Sequence, residues 1–333
     1  GGGGPARARR AAGMAAGTAV VAAWLATVPG TAARLGDLVA PKQFGAMAYG
    51  AQWLAANTAP DAQVVSDSGM VAFLAGRRIP PWVAVVSSKR IRIGDLTGTD
   101  LVAAAELPSV AAVLLWNDQL QDFPDFMAWL PTRFVRAERV GDDREIWRRF
   151  DPAVIGTRQP ATFYEVATLE GFTLAGGAAD TATAGALPGA RALAGATGGA
   201  AAGSTVETTA VRAGEAVTLT LYWRAARATP ADLTVFVHVD GPAGRTVAQA
   251  DGPPAAGEWP SSAWVPGQIV VDRRAVAIPP DAPPDTYRVR VGLYDAATST
   301  RVGAGRPDGT LWPDGAVVLA ARIAIEASGL PSR

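Results

Sequence analysis

His238 is the only histidine in 333 residues, and it stands two residues from Asp240 in LTVFVHVDGPAGRTVAQADGPP (233–254). A His beside an Asp is the minimal kit for a general base, and with further ligands for a metal site. No serine and no second ligand is placed locally to complete a triad or a coordination sphere. Leu233, Val235, Val237 and Val239 alternate with Thr234, Phe236 and His238, which puts the imidazole on the outer face of a strand. Asp240 shares that parity but opens the turn DGPAG. The reading is a half-exposed strand histidine, with no catalytic residue and no metal ligand assigned.

Two acids and three tryptophans remain as ligand-binding candidates. Asp67 follows the β-branched run AQVVSD, and Asn117–Asp118 follow VAAVLLWN, the clearest buried strand of the first half. Open α/β sheets bind ligands at the carboxyl ends of their strands. No glycine-rich phosphate loop follows either strand, and acids in such places are also ordinary caps and turn formers, which is the favoured reading. Trp259, Trp264 and Trp312 sit in loop-like GEWPSSAWVPG and TLWPDG. Exposed aromatics can stack on sugars, whereas aromatics beside prolines can also plug the ends of a sandwich. Plugging is favoured.

The elements around these residues follow from periodicity. Phe44, Met47, Ala48, Ala51, Leu54 and Ala55 recur at helical spacing and stop at Asn57–Pro60. Residues 99–107 and FPDFMAWLPTRF also read as helices. FVRAERV and REIWRRF read as strands around the turn GDD. Helices alternating with strands over 40–155 predict a small α/β layered domain with a mostly parallel sheet. From Val206 the period becomes two. VTLTLYW directs Val217, Leu219, Leu221 and Trp223 one way and Thr218, Thr220 and Tyr222 the other, and TYRVRVGLY alternates likewise. Short alternating strands with Gly/Pro turns predict an antiparallel, immunoglobulin-like β-sandwich over 160–328. Residues 175–203, rich in Ala, Gly and Thr, read as a flexible insertion within it.

Composition excludes several classes. Thirty basic and thirty acidic residues balance, with no long basic run, which argues against nucleic acid as a partner. The absence of cysteine excludes disulfides, thiolate nucleophiles and Cys-based zinc sites. No cofactor is implied. Residues 11–33 carry no charge and follow Arg7, Arg9 and Arg10 in a basic segment over 1–10. A span of about 20 uncharged residues matches a bilayer core, and the arginines would place that side in the cytoplasm. The stretch also fits a cleaved signal peptide. Both readings, favoured over a buried helix of a soluble protein, lead to the expectation that the chain after about residue 34 is extracytoplasmic and the cell membrane a partner.

Two longer stretches carry a resemblance. LAANTAPDAQVVSDSGMVAFLAGRRIPPWV, followed by IRIGDLT, LVAAAELPSVAAVLLWN and REIWRR, resembles the extracytoplasmic region after the last membrane helix of bacterial polytopic glycosyltransferases. These belong to family 39, the C-type group that includes protein O-mannosyltransferase-like and aminoarabinose-transferase-like enzymes. VTLTLYWRA, TVFVHVDGPAGRTVAQADGPP and SAWVPGQIVVDRRAVAIPPDAPPDTYRVRVGLYDAATSTRV are similar to the β-sandwich that follows in some of them, with Asp285 where the pattern more often has Gly. The resemblance implies 11–33 as the last membrane helix, and an accessory role in sugar transfer from a polyprenyl-phosphate carrier. It also implies that glycan or lipid-linked sugar is met through a membrane body that this sequence does not contain. That family's catalytic acid lies in the first extracytoplasmic loop, and nothing here matches it. The alternative is a single-anchor exported binding or adhesion protein with a carbohydrate-binding-like sandwich. A soluble hydrolase would need a carboxylate pair or nucleophile that the sequence does not display.

Overall fold

A computed structural model describes residues 41–176 and 206–326. The expected membrane segment 11–33, the basic segment 1–10 and most of the insertion 175–203 lie outside the described residues. Among those described, no helix is long and apolar enough to cross a membrane.

The first half is an α/β layer. Its helices are α1 (Pro41–Asn57), α2 (Gly69–Leu74), α3 (Ser88–Arg92), α4 (Gly98–Glu106) and α5 (Pro124–Trp129). Its four strands are β1 (Gln63–Ser66), β2 (Val110–Leu115), β3 (Phe134–Val140) and β4 (Arg144–Arg149), in the order β1-β2-β4-β3. The expected mostly parallel sheet is corrected here. Only β1 and β2 run parallel, and β4 pairs antiparallel with both β2 and β3. The reason is the short turn at 141–143, which can only return the chain antiparallel, whereas α2 to α4 supply the crossover that a parallel pair needs.

Local chemistry fixes the helix that backs this sheet. Thr97 Oγ1 accepts the Asp100 N–H at 3.2 Å, and the Asp100 carboxylate accepts the Thr97 N–H at 2.9 Å, so α4 begins with a complete capping box. Leu101, Ala104 and Ala105 are buried beneath it. At its other end the Arg149 guanidinium, reaching across from β4, donates to the carbonyls of Ala105, Leu107 and Val110. The Ala105 carbonyl is one that the helix end leaves unpaired, Leu107 caps that end, and Val110 opens β2, so one side chain ties the helix terminus to the sheet.

The second half is a β-sandwich. One sheet holds β10 (Thr246–Gln249), β9 (Leu233–Asp240), β12 (Asp285–Asp295), β15 (Val317–Glu326) and β7 (Glu207–Arg212), with β13 (Thr300–Arg301) beside β12. The other holds β11 (Ile269–Ala277), β8 (Ala216–Ala225), β6 (Ala167–Gly176), β5 (Thr157–Phe163) and β14 (Ala304–Gly305). The predicted inward sets, Val217/Leu219/Leu221/Trp223 and Val235/Val237/Val239, share one core with Tyr287, Val289, Val291 and Leu293. One pairing and one boundary differ from expectation. β15 pairs parallel with β7, so the sandwich is not wholly antiparallel, and β6 continues through Ala175 and Gly176, which had been assigned to the insertion.

Two residues read as facing outward are nevertheless buried. Phe236 is covered by the Arg301 guanidinium, 4.7 Å from its ring, and lies over Gly292, where a Cβ would stand 2.4 Å from Phe236 Cε1. Tyr222 packs with Val135, Phe150, Ile155 and Ile269, because the α/β layer covers that face of the β8–β11 sheet. Asp240, read as opening a turn, is instead the buried last residue of β9.

Candidate functional site

The parallel pairing of β1 and β2 sets Ser66 opposite Leu114, so the two strands end side by side. Asp67 and Asp118 therefore lie at the same end of the sheet, each just beyond its strand. The Asp67 carboxylate accepts the backbone N–H groups of Trp116 at 2.9 Å, Asn117 at 3.0 Å and Gln119 at 3.1 Å. Asn117 Nδ2 donates in return to the Asp67 carbonyl at 3.0 Å. Burial pushes the Asp67 carboxyl above its ordinary range, and the N–H groups of Asn117, Trp116, Gln119 and Leu120 pull it back in part. Its oxygens hold the β2–α5 loop in shape. Asp118 is exposed at the loop's apex with φ of 62°, a left-handed conformation that Asp tolerates better than most residues. Its carbonyl accepts the Gln121 N–H at 3.2 Å and closes a turn.

Trp259 stands at the contact between the two halves. Its ring lies 5.8 Å from that of Trp147 on β4, with the Arg136 guanidinium 4.5 Å from its centroid. Arg136 also pairs with Glu145 at 2.8 Å and, across the contact, with Glu258 at 2.9 Å. Glu145 accepts Trp147 Nε1–H at 2.8 Å, so ring, guanidinium and carboxylate orient one another. Trp264 is buried, and its Nε1–H donates to the Trp259 carbonyl at 2.9 Å. Trp312 lies apart from these two: its N–H bonds the Ala304 carbonyl on the edge strand β14, whereas Trp264 precedes β11, the opposite edge of that sheet. Its half-buried ring rests on the sandwich core under the Arg306 guanidinium, 3.8 Å away.

His238 is half-buried on the outer face as predicted, with Nε2 3.5 Å from Asp251 Oδ1 and its ring 5.0 Å from that of Phe236. Among the described residues no three His, Asp or Glu side chains converge as metal ligands.

Sequence reasoning missed two charged pairs. Asp272 and Arg274 are buried on β11, bonded to each other at 3.0 Å. Arg274 also donates to the carbonyls of Ala250, Gly252 and Pro253, while Asp272 accepts the Ala255 N–H. Together they pin the 250–257 loop, where Ala255 and Ala256 both have positive φ. Burial pushes the Asp272 carboxyl up against the pull of Arg274. The signal was present in IVVDRRAVA, where Asp272 and Arg274 are in phase with inward Val270 and Val276. The second pair is Asp240 with Arg290 on the neighbouring β12, joined by Thr246 Oγ1–H at 2.7 Å. Burial would raise the Asp240 carboxyl, but the bonds from Arg290 and Thr246 outweigh it and hold the group below its ordinary range.

No protein-family model and no curated protein matches the chain. Among solved structures, a family 123 glycoside hydrolase from Clostridium perfringens aligns at 7% identity and a TM-score of 0.24, over 36% of this chain. The alignment spans 22% of the hydrolase chain, about a fifth of its length. The C-terminal domain of wzt aligns at 10% identity and a TM-score of 0.25, over 54% of this chain and 92% of that one. A chain of a CaDoc0917–CaCohA2 complex aligns at 12% identity and a TM-score of 0.18, over 36% of this chain and 96% of that one. Similarities this low carry no argument about what the chain does.

Proposed function

We propose that the chain is the extracytoplasmic, accessory part of a polyprenyl-phosphate-sugar-dependent membrane glycosyltransferase, and that it positions acceptor or product while membrane helices outside this sequence perform the transfer. The observation that supports this reading is the joint. The two stretches that resemble the family fall on opposite sides of it: REIWRR supplies Glu145 and Trp147, and the sandwich side supplies Glu258 and Trp259. A second apolar contact joins them through Tyr222, Phe150 and Ile155. Contacts of this kind suit a platform held beside a membrane enzyme. In this reading the acid of the strand-end crevice shapes a loop and does no chemistry.

The coding frame upstream of Gly1 tests it. A continuous open frame encoding many apolar segments, with an acid in the first outside loop, is the expected result. A stop codon and ribosome-binding site close upstream would overturn it.

One observation favours a second reading, an exported glycan-binding protein on a single anchor. At the β14 edge Tyr164 is half exposed and lies against Gly303 and Gly305, with Leu311 exposed nearby and Trp312 beneath Arg306. A flat tyrosine over glycine backbone is a surface on which a sugar face can stack. Binding of envelope glycans that Tyr164→Ala abolishes would support that reading, and unchanged binding would remove it.

A further inference from the structure

We infer that the β1 edge of the α/β layer is a docking surface for an anionic lipid bilayer. The inference deepens the membrane reading above by naming the face that meets the lipid.

The segment between Asp67 and Asp95 contains Arg77, Arg78, Lys89, Arg90 and Arg92 and no acid, in a chain whose charges cancel over its full length. The same segment leaves large apolar side chains in solvent. Phe73 is 76% exposed, Ile93 66% and Val85 62%, with Met70, Leu74 and Trp82 about half exposed. The fold gathers these along one edge. The Arg78 carbonyl accepts the Val64 N–H at 2.9 Å, which lays residues 78–80 beside β1 as the sheet margin. α2 lies on one face of that margin, burying Val71 and Ala72 with α1. The turn at Pro81–Val83 lies on the other, burying Val83 against α4. The exposed side chains of both elements thus flank the margin.

The structural arginines are separable from the free cations. Arg77 bonds the carbonyls of Ala55, Thr58 and Ala75, and Arg90 bonds those of Trp82 and Val85 and the Asp95 carboxylate. These bonds hold the apolar side chains in place. Arg78, Lys89 and Arg92 are exposed and have no carboxylate partner among the described residues. Apolar and aromatic side chains at headgroup depth, flanked by basic residues, are what binding to an anionic bilayer surface requires. A second copy is a poor occupant, because a two-fold contact would set this acid-free basic segment against itself.

The chain has no cysteine, so single cysteines can be placed cleanly. The full chain carrying Phe73→Cys, Trp82→Cys or Ile93→Cys, each labelled with a polarity-sensitive fluorophore, is mixed with phosphatidylcholine vesicles made with or without phosphatidylglycerol. Thr298→Cys, on the exposed β12–β13 turn, is the control. All three edge labels are expected to shift to the blue and become quenchable from within the lipid on anionic vesicles, and the control to stay in water. Lys89→Gln with Arg92→Gln should weaken partitioning of the edge labels roughly thirtyfold, from ~1 kcal/mol per basic side chain. If the chain sediments with vesicles while the edge labels stay in water, the inference fails and attachment through 11–33 stands. If it does not sediment at all, both fail. Equal shifts on neutral vesicles, or edge labels protected without lipid in a dimer, would also overturn it.

Discussion

Replacing Asp67 separates a structural acid from a ligand-binding one. In Asp67→Ala three backbone N–H groups lose their acceptor at once. Those of Trp116 and Gln119 are partly buried, and that of Asn117 is exposed enough for water to take over. A donor stranded away from water costs about 1–3 kcal/mol. Taking the lower half of that range for two partly buried donors gives a loss of about 2–4 kcal/mol. Asp67→Asn retains one accepting oxygen, able to keep the Asn117 and Gln119 bonds, but turns an amide NH2 toward the Trp116 N–H. Burial already disfavours the Asp67 charge, so removing it recovers part of that loss. The Asn variant should therefore fall between wild type and Ala, about 1 kcal/mol below wild type.

Urea unfolding followed by tryptophan fluorescence measures this, since Trp116 and Trp147 report on the α/β layer. The expected order of midpoints is wild type, then Asn, then Ala. Residues kept for ligands are commonly held at a cost in stability, so their removal leaves stability unchanged or raises it. An Ala variant within ~0.5 kcal/mol of wild type, or above it, would therefore refute the structural reading and restore Asp67 as a binding candidate.

Three further outcomes follow from the sandwich and its joint. Trp259→Ala removes the ring held by Trp147 and Arg136, should cost about 3 kcal/mol, and should split a single melting transition into two by calorimetry. Gly292→Ala sets a Cβ 2.4 Å from Phe236 Cε1 and 2.7 Å from the Gly315 carbonyl, so it should cost about 1–3 kcal/mol and expose Phe236. Arg290→Ala leaves Asp240 buried without its cation, and because Arg290 is partly exposed the loss should be about 1–3 kcal/mol at neutral pH. The Asp240 carboxyl is lower in the fold than in the unfolded chain, so its contribution is present above about pH 4 and vanishes as pH falls through the folded value. Wild type and Arg290→Ala should thus converge in acid, and a gap independent of pH would show that the pair does not carry the difference.

What could be read beforehand was whatever depends on near neighbours in sequence. Alternation placed the inward sides of β8, β9 and β12, and the run VAAVLL gave a buried strand, because period and apolarity are local properties. The burial of Phe236 and Tyr222 is not local. It depends on Arg301 and Gly292 arriving from β13 and β12, and on the α/β layer closing over β8. The parallel pairing of β7 with β15 is likewise invisible to periodicity, which fixes the face of a strand but not its neighbour. Asp272 and Arg274 are a different case, since their inward phase was legible, and only the habit of assigning charge to surfaces hid them.

Trp259 shows where local reading ends. Its sequence, GEWPSS, gives an aromatic in a loop, and a loop aromatic can meet a ligand, a core or another domain. Which one it meets is decided by a residue far earlier in the chain, because Arg136 pairs with Glu258, 122 residues on, and lays its guanidinium over the adjacent ring. That guanidinium is itself oriented by Glu145 on the neighbouring strand. A residue's candidacy for binding is thus settled by how fully the fold has already used its faces. By that measure Trp259 and Trp264 belong to the joint, Trp312 is held between Arg306 and the sandwich core, and Tyr164 keeps a side toward solvent.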